Sequence, residues 1–337
     1  MKHITDQIIE KAEEENFSGV ISVFRGDKVI LNRSFGFRDT ANELRNEEDT
    51  KFGIASGTKL FTALGIGKLI EQGQIRLDTK IKDIGKDYCT FIDGDATIAH
   101  LLSHTSGIYD YYDEEVISDF DNFFVDIPWY QLETPSDYLP LFSNQKPKFE
   151  PGQRFSYSNG GFVFLGILIE RLSGISYRKY IEENVLLLAQ MTHSGFFALN
   201  ELPQNTANGY TSNRRTANIY NLPIRGGGDG GMFTNTYDLN TFWNHLFSYR
   251  ILTKDLTEEF LKTRWEFNDK RGYGYGIYKE LDNSMYSIVG GDAGVGFDSR
   301  YIPEEEIVIN ILSNVTDGEN EMRRFLLSNL DHIKSAA

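Results

Sequence analysis

Residues 52–73 read FGIASGTKLFTALGIGKLIEQG, and how they are parsed decides the fold. The lead-in KFGIA is extended, after which Phe61, Leu64 and Leu69 fall on one face of a helix until Gly73 supplies a C-cap. Ser56 and Lys59 stand where the two join. A lysine one turn after a serine shares its face and can take the hydroxyl proton, which a serine must lose to act as a nucleophile. A helix N-terminus also favours a developing alkoxide. Chance alone supplies roughly one Ser-x-x-Lys in a chain of ordinary composition, and this one has three. Ser143 and Lys146 run into Pro147, where no helix holds them one turn apart. Ser176 and Lys179 sit where RLSGIS gives way to YRKYIEENV, which makes Ser176 an N-cap. Only Ser56 joins an extended lead-in to a long amphipathic helix.

Upstream, Ile4, Ile8, Ile9 and Ala12 recur at helical intervals, and GVISVF and KVILNRSFGF flank the turn Arg25-Gly26-Asp27 as a hairpin would. Downstream, from about 86 to 224, five of the eight prolines lie between Pro128 and Pro151 and stretches such as YDYYDEE replace strand alternation, as in a helix-and-loop insertion. After the cluster GGGDGG at 226–231, helical DLNTFWNHLF precedes strand-like runs at 273–279, 285–289, 296–302 and 306–313, and a last helix at 320–333. Strands from both ends with a helical middle predict an α+β fold. One antiparallel β-sheet, from 1–85 plus 225–337, is flanked by N- and C-terminal helices and carries an inserted, mainly helical subdomain, 86–224. The active site falls at their interface.

With 337 residues, 40% of them hydrophobic, the chain can bury a large core. A net charge of −15 repels phosphate backbones and anionic membranes, so nucleic acid is not the expected partner. Cys89, the one cysteine, cannot form an internal disulfide. The N-terminus lacks a signal-like apolar run, and stretches such as FVFLGILI fall short of a membrane span, so a cytoplasmic location is expected. Neither metal nor cofactor is expected. His100 and His104 are four apart, but Leu101 stands where a zinc protease has glutamate, and GGGDGG lacks the lysine of a phosphate loop and reads as a cleft-edge loop. Tyr109, Tyr111 and Tyr112 read as packed surface of the helical part before an entrance lining.

FGIASGTKLFTALGIGKLIEQG, TIAHLLSHTSGI at 97–108, FEPGQRFSYSNGGFVFLGILIERLSG at 149–174 and GDGGMFTNTYDL at 228–239 stand in one order. In this the chain resembles the serine β-lactamase, DD-peptidase and esterase superfamily, with its Ser-x-x-Lys, Tyr-x-Asn and Lys-Thr-Gly elements. Among 18 tyrosines only Tyr157 has asparagine two positions on, so Tyr157-Ser158-Asn159 matches the second element. By that resemblance Tyr157 shuttles a proton between Ser56 and the leaving group, and Asn159 bonds Lys59 or a substrate amide. An ordinary phenol is a poor base at neutral pH, so the Lys59 charge is expected to lower it. The third element departs from the pattern. Aligning GVGFDSRYIPE without gaps puts Ile288-Val289-Gly290 where Lys-Thr-Gly or His-Thr-Gly is usual. Gly290 and Gly291 remain, and the N–H groups of Gly291 and Ser56 can form an oxyanion hole. Asp292 reads as an exposed turn residue before a polar site residue. The resemblance implies a serine hydrolase acting through an acyl-enzyme on a small-molecule or short-peptide ester or amide, as an esterase, D-amino-acid peptidase or β-lactamase-like enzyme. Without the cation, neutral acyl substrates are expected over carboxylates. The alternative is a penicillin-binding-like sensor that binds without turnover. Oligomeric state is not readable.

Overall fold

The computed structural model describes residues 3–336. Helix α1, Ile4–Glu14, leads into the hairpin β1, Gly19–Arg25, and β2, Lys28–Phe35; short strands β3, Phe37–Asp39, and β4, Leu44–Arg45, pair with each other. Strand β5, Phe52–Gly53, pairs with β6, Phe233–Thr234. Helices α2, Thr58–Glu71, α3, Ile81–Ile84, α4, Ile98–Leu102, α5, Leu139–Phe142, α6, Asn159–Ser173, and α7, Tyr177–Ile181, occupy the middle, with α8, Thr236–Phe247, and α9, Lys254–Leu261, after them. Strands β7, Trp265–Glu266, β8, Arg271–Tyr273, β9, Tyr278–Glu280, β10, Tyr286–Asp292, β11, Val295–Ile302, and β12, Ile307–Ser313, complete the sheet, and α10, Asn320–Ser328, and α11, Leu330–Ala336, follow.

The main sheet runs β2-β1-β12-β11-β10-β9-β8-β7, antiparallel throughout. Alternation along β1 sorts its two faces. Ile21 and Val23 point into an apolar layer with Ile4, Ile8 and Ala12 of α1 and Met322 and Leu326 of α10. Val20 and Phe24 point the other way, into the larger core with α2 and α8. A polar chain crosses the sheet: Trp243 Nε1 donates to Ser299 Oγ at 2.8 Å, Ser299 to Asn310 Oδ1 at 2.6 Å, and Asn310 Nδ2 to Ser22 Oγ at 3.0 Å. Because each member is satisfied, the chain fixes register between β1, β12 and β11 without an unpaired buried group.

The α+β architecture and the antiparallel sheet are as the sequence predicts. Three local expectations are corrected. Helix α2 is not amphipathic: every residue from Thr58 to Gly67 is buried, so it is a core helix wrapped on all sides. The run 273–279 is two strands around a turn, with Gly274 N–H donating to Ile277 O at 2.8 Å. The last helix breaks at Asn329, which leaves helical geometry at ψ 20°. Gly73 does end α2, at φ +69°, a conformation cheap only for glycine. Among the described residues no single helix is long and apolar enough to cross a membrane.

Candidate active site

The turn Ala55–Gly57 delivers the chain into α2, and it is held tightly. Gly57 N–H donates to Ile54 O at 2.8 Å, Thr58 Oγ1 donates to Ala55 O at 2.7 Å, and Thr58 Oγ1 accepts Met232 N–H at 3.0 Å. Ala55 sits at φ +42°, a strained position for a residue with a Cβ, and Ser56 follows it directly, half-buried and lining a cleft.

Lys59 is 1% exposed, and its Nζ has three partners: Ser56 Oγ at 3.0 Å, Asn159 Oδ1 at 2.7 Å and Asp229 O at 2.7 Å. Burial lowers its pKa from the ordinary lysine value, against the pull of Asp229, Glu114, Asp110 and Asp292, which favour the ammonium. In the neutral amine two N–H groups serve Asn159 and Asp229, and the lone pair is left to face the Ser56 hydroxyl.

Asn159 begins α6 and is itself fixed. Its Nδ2 donates to Tyr112 O at 2.9 Å and Asp110 Oδ2 at 3.3 Å, which turns Oδ1 toward Lys59. Asp110, 2% exposed, takes the first N–H groups of α6, Asn159 N at 2.9 Å and Gly160 N at 2.9 Å, while Ser158 Oγ takes Gly161 N at 3.0 Å. Burial nonetheless raises the Asp110 carboxyl.

Tyr157 does not behave as expected. Burial pushes its phenol well above the usual tyrosine range, and the hydrogen bond with Ser56 only partly opposes this. Lys59 Nζ lies over the ring face, 4.9 Å from the centroid. Burial thus favours the neutral phenol over the phenolate. Behind it lies His104, 1% exposed and at φ +57°, with its ring centroid 4.3 Å from that of Tyr157. The sequence reading weighed this residue only as a zinc ligand, with His100, and set it aside.

Strand β10 closes the site. Gly290 sits against the Ser56 turn so closely that a Cβ there would lie 2.1 Å from Ile54 O. Gly291 and Ser56 line one cleft, with the strand laid across the turn. Ile288, two residues before Gly290, is 2% exposed and part of the apolar core. Asp292 is not an exposed turn residue: it ends β10 in the cleft wall, accepts from Tyr112 Oη at 3.3 Å and Ala293 N at 2.9 Å, and burial raises it to about 7. Tyr111 and Tyr112 are likewise cleft lining, and Tyr111 Oη donates to Asp229 Oδ2 at 2.6 Å. The glycine loop contributes Gly226, Asp229, Gly230 and Gly231 to the rim. Phe120 stacks on Tyr112 and lies against Gly291, and Asp121 next to it ties that loop to Thr316 Oγ1 at 2.6 Å and Ser212 N at 2.8 Å.

A serine-lysine helix under an antiparallel sheet, with a glycine strand across its N-terminus, is the β-lactamase and penicillin-binding-protein fold. The chain belongs to the Beta-lactamase family, whose profile matches residues 5–330. A crystal structure of a penicillin binding protein from Bacillus halodurans superposes with a TM-score of 0.90 at 36% identity, covering 95% of this chain and 99% of the other. Penicillin-binding protein 4* of Bacillus subtilis is 27% identical over 98% of this chain and 75% of its own length. Protein flp of Staphylococcus aureus is 29% identical over 69% of this chain and 46% of its own, so the chain covers under half of that relative.

Proposed function

We propose that the protein is a serine hydrolase that opens an ester or amide bond through an acyl-enzyme on Ser56. The observation that carries this is the Lys59 amine, buried and 3.0 Å from Ser56 Oγ with its other contacts taken up by acceptors. Ser56 gives its proton to neutral Lys59 as its oxygen attacks the carbonyl. The N–H groups of Ser56 and Gly291 receive the oxyanion. Tyr157 gives its proton to the departing oxygen or nitrogen and is recharged from Lys59, and water then releases the acyl group. The apolar and tyrosine-lined cleft suits a small acyl group or a short peptide.

Intact-mass measurement after incubation with a fluorophosphonate, and separately with a penicillin, tests the reading. The expected adduct maps to the peptide holding Ser56, not to those of Ser143 or Ser176, and is absent from Ser56→Ala. A transient adduct means turnover, whereas a persistent one means acylation without release. With no adduct from either reagent, the hydrolase reading fails and the site is a binding cleft.

A further inference from the structure

The direction of the Lys59 lone pair is set by two acceptors, Asn159 Oδ1 and Asp229 O, each at 2.7 Å. The second is a backbone carbonyl of the glycine loop, so whatever holds that loop also aims the amine. Ser56, Lys59 and Thr62 follow at intervals of three along the turn and the first coils of α2, which puts all three on one side. Thr62 is buried and does not line the cleft. Its Oγ1 donates to Gly228 O at 2.6 Å, the carbonyl just before that of Asp229, and lies 2.7 Å from Tyr177 Oη. A carbonyl can only accept, so the threonine proton goes to Gly228 and the tyrosine proton to Thr62. Two hydroxyls thus run in series from α7 through α2 to the loop. Tyr177 is buried as well, and burial raises its phenol, which keeps the proton that it donates.

The loop is fitted closely on its other sides. Gly228 lies so near α6 that a Cβ there would fall 2.3 Å from Phe162 O. Gly227 N–H donates to Gly230 O at 2.8 Å, and Arg178, beside Tyr177, donates from Nε to Gly226 O at 2.8 Å. Gly228 O and Asp229 O belong to successive peptides, so a shift of the first moves the second. The charges that act on Lys59 are those of Asp229, Glu114, Asp110 and Asp292, and its own charge acts on His104. None of these groups hydrogen-bonds Thr62 or Tyr177 through its side chain, so a change at either hydroxyl reaches Lys59 through the loop.

We propose that Thr62 and Tyr177 are positioning residues, a buried hydroxyl relay that presents Asp229 O to Lys59 and so leaves the lysine lone pair, not an N–H, facing Ser56. The inference rests on the serine-hydrolase reading above. An amine with one fixed acceptor in place of two can turn about its Cε–Nζ bond, and some of its orientations set an N–H on the serine oxygen, where it takes no proton. The same carbonyl favours the ammonium over the amine, because a charged donor makes the stronger bond. Weakening the relay therefore lowers the Lys59 pKa further. Neither hydroxyl touches substrate, and neither gains or loses a proton over the cycle.

Thr62→Val keeps the shape of the side chain and removes the hydroxyl. With phenyl acetate, kcat and kcat/KM are expected to fall together by about 10-fold while KM stays within about 2-fold, as when a reacting group is slightly misplaced. The acid limb of the pH–rate profile is expected to move down by about 0.5 to 1 unit, for a charged hydrogen bond weakened but not lost. Thr62→Ser keeps the hydroxyl and is expected to restore both. Tyr177→Phe leaves Thr62 its proton but not its anchor, and about a 2- to 5-fold loss with the same direction of shift is expected; this variant decides if circular dichroism shows Thr62→Val unfolded. A lower melting temperature with kcat and pH profile unchanged makes the hydroxyls structural and overturns the proposal, as does a Thr62→Ser no better than Thr62→Val. NMR titration of ε-carbon-labelled lysine, with the Lys59 signal assigned by its loss in Lys59→Arg, reads the amine without turnover. A lowered Lys59 pKa in the variants of a protein that cleaves no ester keeps the relay and removes the hydrolase; equal pKa values in native protein and variants overturn the relay.

Discussion

The imidazole of His104 stacks on the phenol ring of Tyr157 at 4.3 Å, and its Nδ1 accepts the N–H of the next residue, Ser158, at 3.0 Å. A neutral ring that accepts at Nδ1 carries its proton on Nε2, which donates to Tyr273 Oη at 3.1 Å. Both the position of Tyr157 and the tautomer of His104 are therefore set by one buried contact pair. A protonated ring would set an N–H against the Ser158 N–H.

Acid should loosen this contact. Burial and the Lys59 charge hold His104 well below the ordinary imidazole value of 6.5, so below pH 6.5 the unfolded chain takes up a proton that the folded one refuses. Its stabilising contribution is whole above 6.5 and is lost as pH falls toward the folded value, at up to about 1.4 kcal/mol per pH unit. Asp292 and Glu319, both raised to about 7, act in the opposite sense, which makes a difference measurement necessary. Urea unfolding of native protein and His104→Gln between pH 5 and 7.5 should show the slope in the native protein alone. Parallel slopes would remove His104 from the account. The variant should also be less stable at pH 7.5 by about 2 to 4 kcal/mol, from an unpaired buried N–H and lost packing.

Lys59 sets the pH dependence of rate. If the neutral amine takes the Ser56 proton, kcat/KM should climb with pH and level off at an apparent pKa below the ordinary lysine value of 10.5, because burial lowers that group. Lys59→Arg keeps the charge but not a neutral form, and should lose about 10²- to 10⁴-fold in kcat/KM. A rate that stays flat from pH 6 to 9, with chemistry limiting, would exclude Lys59 as the titrating base.

Two adjacent glycines should respond very differently to one methyl group. In Gly290→Ala the Cβ falls 2.1 Å from Ile54 O and 3.0 Å from Ser56 N and Gly57 N, so β10 must lift away from the turn that it covers. Losing one oxyanion donor in this way costs about 10²- to 10³-fold in kcat. In Gly291→Ala the nearest atom is Phe120 Cε2 at 3.4 Å, an ordinary contact, and activity should fall less than about 5-fold. Kinetics of both variants on phenyl acetate, beside their circular dichroism, check the contrast; equal losses would mean that β10 does not supply the donor as described.

Asp110 should matter more for order than for charge. Asp110→Ala leaves the Asn159 and Gly160 N–H groups buried without a partner, at about 1 to 3 kcal/mol each, and frees the Asn159 side chain that positions Lys59. A fall in melting temperature together with a fall in kcat is expected. Unchanged kcat in a destabilised variant would confine Asp110 to capping α6.

Ser56 and Lys59 could be singled out in the chain by their three-residue spacing at the start of a helix, and Tyr157 and Asn159 by the family resemblance that Tyr157-Ser158-Asn159 carries. Gly290 could be placed because GVGFDSRYIPE aligns without gaps onto the strand of the family that the chain resembles. His104 and Asp110 could not, since their partners lie about 50 positions away and their types are common in ordinary caps and loops. Asp292 looked like a turn residue because nothing local reveals that Tyr112 and the opposite rim cover it. Helix α2 looked one-sided because its reading rested on Phe61, Leu64 and Leu69, whereas Gly65 and Gly67 on its other faces are close-approach points: a Cβ on Gly65 would meet Ile181 at 2.5 Å and one on Gly67 Leu252 at 2.6 Å.

The polar chain across the sheet has a consequence for how the molecule is made. Asn310 meets Ser22 only after 288 further positions have been synthesised, and until β12 slides in beside β1, the strands from β7 to β11 pair with one another but are not joined to the β1–β2 hairpin. A nascent chain paused before β12 already carries the serine, the lysine, the tyrosine and the strand that lies across them, yet no strand bridges the two halves of the sheet. A fragment cut short of Ile307 is thus chemically complete in its side chains but lacks the strand that seats β11, and through it β10, beside the N-terminal hairpin.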